Sequence, residues 1–143
     1  MKTPVFWFKK DSILKYLLFP LTYIWKAGYK YKKIKATCHS YPIPIICIGN
    51  IIMGGGGKTP LVIEVSKDLK KIGKNVHIVY KAFNVKLKIN ALEVTKDSNP
   101  KEVGDEPILA SSFSTTWIAK TRKYGIEKAI QNGADVILLD DGF

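Results

Sequence analysis

The stretch that most constrains this chain runs from Gly49 to Pro60 and reads Gly-Asn-Ile-Ile-Met-Gly-Gly-Gly-Gly-Lys-Thr-Pro. It follows the apolar run Ile43-Pro44-Ile45-Ile46-Cys47-Ile48 and leads into residues with helical apolar spacing. A strand, a glycine-rich turn ending in Gly-Lys-Thr, and a helix form the arrangement of a phosphate-binding loop. Glycines let the backbone bend with positive φ, and they let successive N–H groups face a polyphosphate with no Cβ in the way. Ile52, Met53, Gly54, Gly55, Gly56, Gly57, Lys58 and Thr59 are the candidate cradle for ATP. Lys58 is placed to reach the β- and γ-phosphates, and the Thr59 hydroxyl to ligate Mg²⁺. Ile52 stands where the pattern has its first glycine. Pro60 fits, since the first helical turn needs no N–H from it. The competing reading, a surface turn with a chance Gly-Lys-Thr, does not explain the strand before and the helix after.

The rest of the chain alternates in the same way. A helix is expected over Thr59–Lys71, with Leu61, Val62, Val65 and Leu69 as its core stripe and Gly73 as its stop. Val76–Tyr80 reads as a second strand, which makes His77 a strand residue with a satisfied ring rather than a ligand. Lys81–Pro100 reads as a loop with at most a minor edge strand, at Val85–Ile89. Gly104-Asp105-Glu106-Pro107 opens a helix, Thr115–Ala119 is a third strand, and Tyr124–Asn132 is a helix ended by Gly133. Asp135–Asp141 closes the series with a buried-type strand. The expected fold is therefore α/β, a P-loop NTPase-like and mostly parallel sheet flanked by helices, with right-handed crossovers.

Two acidic positions invite chemistry. Four aliphatics, Val136 to Leu139, followed by Asp140 and Asp141 describe a strand whose carboxylate meets the Mg²⁺ of a bound nucleotide, because the strand's C-terminal end opens onto the phosphate site. A plain strand cap is the alternative, and the glycine-rich loop upstream favours the metal role. Asp105 and Glu106, at the positive end of their helix, read from the residues alone as helix capping.

Lys plus Arg number 23 against 12 Asp plus Glu, a formal net charge of +11, so the chain is attracted to something anionic. Much of that charge belongs to an N-terminal amphipathic segment, residues 1–38, set apart from a core at 39–143. Ile13, Leu14, Leu17, Leu18, Leu21, Ile24 and Trp25 recur at helical spacing, widened by Tyr16, Phe19 and Tyr23, and Pro20 is expected to kink or divide the helix. The uncharged run from Tyr16 to Trp25 is half of the roughly 20 residues that span a bilayer. Lys26, Lys30, Lys32, Lys33 and Lys35, interleaved with Tyr29 and Tyr31, form the pattern of a segment lying on an anionic leaflet. An ordinary helix packed on its own core is the alternative. No stacking motif or recognition helix supports nucleic-acid binding. Cys38 and Cys47 form no metal-like or redox-like pair, and Cys47 is read as a small hydrophobe within its strand.

Three separated pieces coincide with one family. They are Pro4-Val5-Phe6-Trp7 with Phe19-Pro20-Leu21; Ile48-Gly49-Asn50 running into Gly-Gly-Gly-Gly-Lys-Thr-Pro; and Val103-Gly104-Asp105-Glu106-Pro107 with Leu139-Asp140-Asp141-Gly142-Phe143. Together they resemble tetraacyldisaccharide 4′-kinase, the lipid A kinase of Gram-negative bacteria. The resemblance implies ATP-dependent phosphorylation of the 4′-hydroxyl of a tetraacylated glucosamine disaccharide 1-phosphate, yielding lipid IVA, at the cytoplasmic face of the inner membrane. It also implies that Asp105 acts as the base toward the sugar hydroxyl, working with a histidine from the C-terminal half, and that Asp140 and Asp141 belong to the Mg-ATP site.

The chain departs from the family at Tyr80-Lys81-Ala82-Phe83, where members usually have Ser-Arg-Gly-Tyr. It also corresponds to an N-terminal half, which leaves open a separate C-terminal half as a partner, its loss, or its lying beyond residue 143. Two other readings stay open. One is a membrane-associated partitioning ATPase, although Met53 stands where such loops carry a signature lysine. The other is a nucleotide-binding remnant without catalysis.

Overall fold

The computed structural model describes residues 13–35, 39–49, 57–82 and 87–140. The chain divides into two compact units, Met1–Ser40 and Tyr41–Phe143.

In the first unit, α1 (Ile13–Lys35) is one helix of 23 residues. Pro20 lies inside it and does not divide it, so of the two expected outcomes, a kink or a division, the division is corrected: the proline removes one N–H from the ladder while the helix continues on both sides. Phe19, Leu21, Tyr23, Ile24, Trp25, Tyr29, Tyr31 and Ile34 are all exposed, Trp25 by 76%. Phe19 and Tyr23, one turn apart, meet edge to face at 5.6 Å, and the Lys26 ammonium lies 5.8 Å from the centre of the Tyr23 ring. Tyr29 and Tyr31 alternate with Lys30 and Lys33 in the last turns. Neither this helix nor any other among the described residues is long and apolar enough to cross a membrane.

The second unit is a five-stranded sheet with helices on its faces, an α/β architecture. Its elements are β1 (Ile45–Ile48), α2 (Lys58–Lys71), β2 (Val76–Lys81), β3 (Ala91–Val94), α3 (Pro100–Val103), α4 (Asp105–Ser111), β4 (Thr115–Ala119), α5 (Arg122–Gln131) and β5 (Val136–Asp140). The strand order is β1-β5-β2-β4-β3. β1, β5, β2 and β4 run parallel, and β3 pairs antiparallel with β4 at the far edge. The edge strand expected at Val85–Ile89 therefore lies later, at Ala91–Val94, where Ala91 and Val94 turn into the core; residues 83–86 are outside the described ones.

Period-two alternation sorts the central strands onto two faces. Ile48, Val76, Ile78, Tyr80, Leu138, Ile118 and Val94 join Val62 of α2 and Ala110 of α4 in one cluster. Val79, Trp117, Ile137 and Leu139 join Ile126 and Ala129 of α5 in the other. On α2 the buried residues are Val62, Ile63 and Ser66, with Val65 and Leu69 packed against them. Leu61, expected in that stripe, is exposed, because about 100° of rotation per residue carries it off the face that Val62 and Ser66 share. β1 is an edge strand among the described residues, with Ile46 and Cys47 exposed. Cys47 does lie within its strand, as expected of it, but exposed at the sheet's edge rather than as part of the core.

Candidate nucleotide-binding site

In parallel strands joined by helices, loops that precede helices gather at the strands' C-terminal ends. β1 ends at Ile48, and its partner in the ladder to β5 is Asp140, the last residue of that strand. The glycine-rich stretch thus leaves the sheet beside the aspartate. Asp140 is buried. Its tie to the loop does not depend on the cradle's tip, since Ile52, Met53, Gly54, Gly55 and Gly56, like Asp141, lie outside the described residues.

The loop re-enters at Gly57, which has φ +65° and ψ 23° and precedes α2. That left-handed geometry costs an L residue about 1–2 kcal/mol, and glycine nothing. The Gly57 carbonyl accepts the first helical bond, from the Leu61 N–H at 3.2 Å. Lys58 and Thr59 occupy the opening turn of α2, both half-buried, where the helix's unpaired N–H groups and positive end lie. No acidic residue sits in that turn to neutralise it.

Asp105 opens α4 after Gly104, whose φ of +86° makes the bend out of α3. Asp105 and Glu106 are exposed. Tyr80, the penultimate residue of β2, is buried, and its phenol is held well above its ordinary pKa of 10, first by burial and then by the charges of Asp140 and Glu106. Asp140 and the start of α4 therefore act electrostatically on one hydroxyl, and both belong to the C-terminal edge of the sheet. Arg122 opens α5 at the same edge, directly after β4. Tyr80 escaped the sequence reading as a candidate for the site. The signal for Tyr80 was its place at the end of a strand neighbouring the one that ends in Asp140.

His77 takes no part. Its ring is buried on the α5 face, where Nδ1 accepts a hydrogen bond of 3.1 Å from the Trp117 indole N–H. The two rings stack with centroids 6.3 Å apart. This is the satisfied ring the strand position implied. A separate cavity of about 370 Å³, lined by Ile89, Tyr124, Glu127 and Lys128 among others, contains none of the candidate phosphate-site residues.

The family model described as tetraacyldisaccharide-1-P 4′-kinase matches residues 14–143. The chain belongs to this family. Curated tetraacyldisaccharide 4′-kinases of Jannaschia sp. (strain CCS1) and Dinoroseobacter shibae are 34% and 36% identical over the whole of this chain, which covers 44% and 43% of their lengths. A crystal structure of LpxK from Aquifex aeolicus in complex with ATP superposes with a TM-score of 0.70 at 28% identity, over 91% of this chain and 44% of that one. The chain thus spans under half the length of the relatives it matches.

Proposed function

We propose that this chain is the nucleotide-binding half of a kinase that phosphorylates the 4′-hydroxyl of tetraacyldisaccharide 1-phosphate. The observation that carries the reading is the pairing of Ile48 with Asp140, followed by a left-handed Gly57 at the start of α2. The residues fit an Mg-nucleotide. Among the described residues no three His, Cys, Asp or Glu side chains stand together as a complete metal cage. Mg²⁺ is ordinarily held by one or two carboxylates plus the phosphates themselves. In this reading Asp140, Asp141 and the Thr59 hydroxyl would hold the cation, and Lys58 with the N–H groups of 52–59 would hold the phosphates.

When bound, ATP supplies the γ-phosphoryl group. The chain's own residues position it and neutralise charge, the main work in phosphoryl transfer. Asp105, an exposed carboxylate at the same edge, is assigned to take the proton from the sugar hydroxyl.

The apolar and basic surface of α1 supports a peripheral hold on an anionic membrane, at the cytoplasmic face where such a lipid is made. The exposed edge of β1, with Ile46 and Cys47 uncovered, supports a second half that covers it, since parallel sheets are ordinarily buried on both faces.

Orientation of acceptor and donor can supply roughly 7–11 kcal/mol of barrier lowering, and residues 1–143 taken by themselves, under half the length of the relatives, are expected to transfer poorly. The test is lipid 4′-phosphorylation by this chain, alone and mixed with a C-terminal half taken from a relative. Turnover should appear only in the mixture and vanish again with Asp105→Ala. Full transfer by the chain alone, or indifference to Asp105→Ala, contradicts the proposal.

A further inference from the structure

One buried polar group at the C-terminal edge has no role in the site described so far. Tyr80 is 6% exposed, and its hydroxyl is buried with no hydrogen-bond partner among the described residues. A hydroxyl taken out of water without a partner is costly, and native structures keep few of them. The β2–β5 ladder pairs Val79 with Leu139, so the next residues along the two parallel strands are Tyr80 and Asp140. Alternation puts both on the face of Ile78 and Leu138, which share one core cluster with Tyr80 itself. Both side chains are buried. A phenol and a carboxylate thus stand on neighbouring strands, on one face, at the end of the sheet where the glycine-rich loop departs.

We propose that Tyr80 is a positioning residue for Asp140: with a divalent cation held by one carboxylate oxygen, the phenolic O–H, unpaired among the described residues in this structure, donates to the other. The proposal rests on the nucleotide site above and adds to it a residue that motif reading does not reach. A carboxylate that ligates a metal is typically held by a hydrogen bond of its own, which sets its orientation. Tyr80 suits that task, since a phenol, with its ordinary pKa of about 10, is protonated at neutral pH. As a phenol it can donate there, and it carries no negative charge to repel the carboxylate.

Tyr80→Phe removes only the oxygen and keeps the ring in the core. Three quantities are read on the full 143-residue chain: the thermal midpoint without nucleotide, the affinity for ATP with excess Mg²⁺, and the affinity for ATP in EDTA. The expected result is a midpoint unchanged or raised, since the deleted hydroxyl had no partner to lose. Mg-ATP affinity should fall by roughly three- to tenfold, the scale of one hydrogen bond to a charged group, with ATP affinity in EDTA unaltered. A purely structural role moves the midpoint and not the Mg²⁺ dependence. A lowered midpoint, or a chain that fails to fold, means the hydroxyl already has a structural partner and overturns the proposal. An unchanged Mg-ATP affinity overturns it too. Lys58→Ala measured alongside separates the two levels. If that variant, or the wild type itself, shows no loss or no binding of Mg-ATP to begin with, the nucleotide site is wrong and this inference falls with it. If Lys58→Ala loses binding while Tyr80→Phe keeps it, only the role of Tyr80 is wrong.

Discussion

Ile48 and Asp140 are partners in the parallel ladder between β1 and β5, the last residue of one strand beside the last of the other. The two are 92 positions apart in sequence yet adjacent in the sheet, and the glycine-rich loop starts one residue after Ile48. Asp140→Asn keeps the shape and removes the charge. Mg-ATP affinity, measured by titration calorimetry, is expected to fall on the order of tenfold, the scale of one charge-assisted contact, toward the value measured in EDTA. Equal Mg²⁺ dependence in variant and wild type would remove Asp140 from the cation site.

The packing of α5 on the sheet depends on Gly125. A Cβ there would stand 2.4 Å from Val79 Cγ1 and 3.2 Å from the Ala119 Cβ. Alanine improves helix propensity by about 1 kcal/mol, but overpacking of this kind costs about 1–3 kcal/mol. Gly125→Ala should therefore lower the urea midpoint, and adding Val79→Ala should recover part of the loss. A midpoint raised by Gly125→Ala alone would mean that α5 lies further from β2 than the structure has it.

His77 makes stability depend on pH in a definite direction. Burial, and then the Lys70 charge, hold its imidazole below the ordinary 6.5, with Asp135 opposing. Above about pH 6.5 the group is neutral in both folded and unfolded chains and contributes nothing. Below that, the unfolded chain binds a proton that the folded chain resists, so stability falls until the lower folded pKa is passed. Urea midpoints between pH 7.5 and 5.5 should decline more steeply for the wild type than for His77→Phe. Parallel slopes would assign the acid sensitivity to other groups.

The exposed face of α1 predicts vesicle binding. Each lysine near anionic lipid contributes about 1 kcal/mol, and salt screens it within about 10 Å at 0.1 M. Co-sedimentation with phosphatidylserine vesicles should be strong, weaker at high salt, and lost in a chain lacking residues 1–35. Equal partitioning of the two chains would contradict the role given to α1.

Much of this was legible in advance, for identifiable reasons. Long apolar periodicity located α2, β2, β4 and β5 within a residue or two, because their side chains have two faces to fill. β3 was displaced because Ala91-Leu92-Glu93-Val94 carries only a weak alternation, and its strand state comes from pairing with β4. Pro20 did not divide α1, since a proline removes only one N–H from the ladder and the helix continues on both sides of it. Lys58, Thr59 and Asp140 could be singled out as candidates in advance because glycine-rich loops and strand-terminal carboxylates leave fixed spacings, and the structure sets Asp140 beside the strand from which that loop departs. Tyr80 was missed because its significance lies in the β2–β5 register, which no local pattern encodes.

The central claim is that the turn entering α2 and the end of β5 make one nucleotide site, and Lys58 tests it most directly. Titration of the 143-residue chain with ATP in excess Mg²⁺ should give saturable one-to-one binding, which Lys58→Ala abolishes without lowering the thermal midpoint in the absence of nucleotide. Undiminished binding by Lys58→Ala, with both proteins folded, would contradict the account.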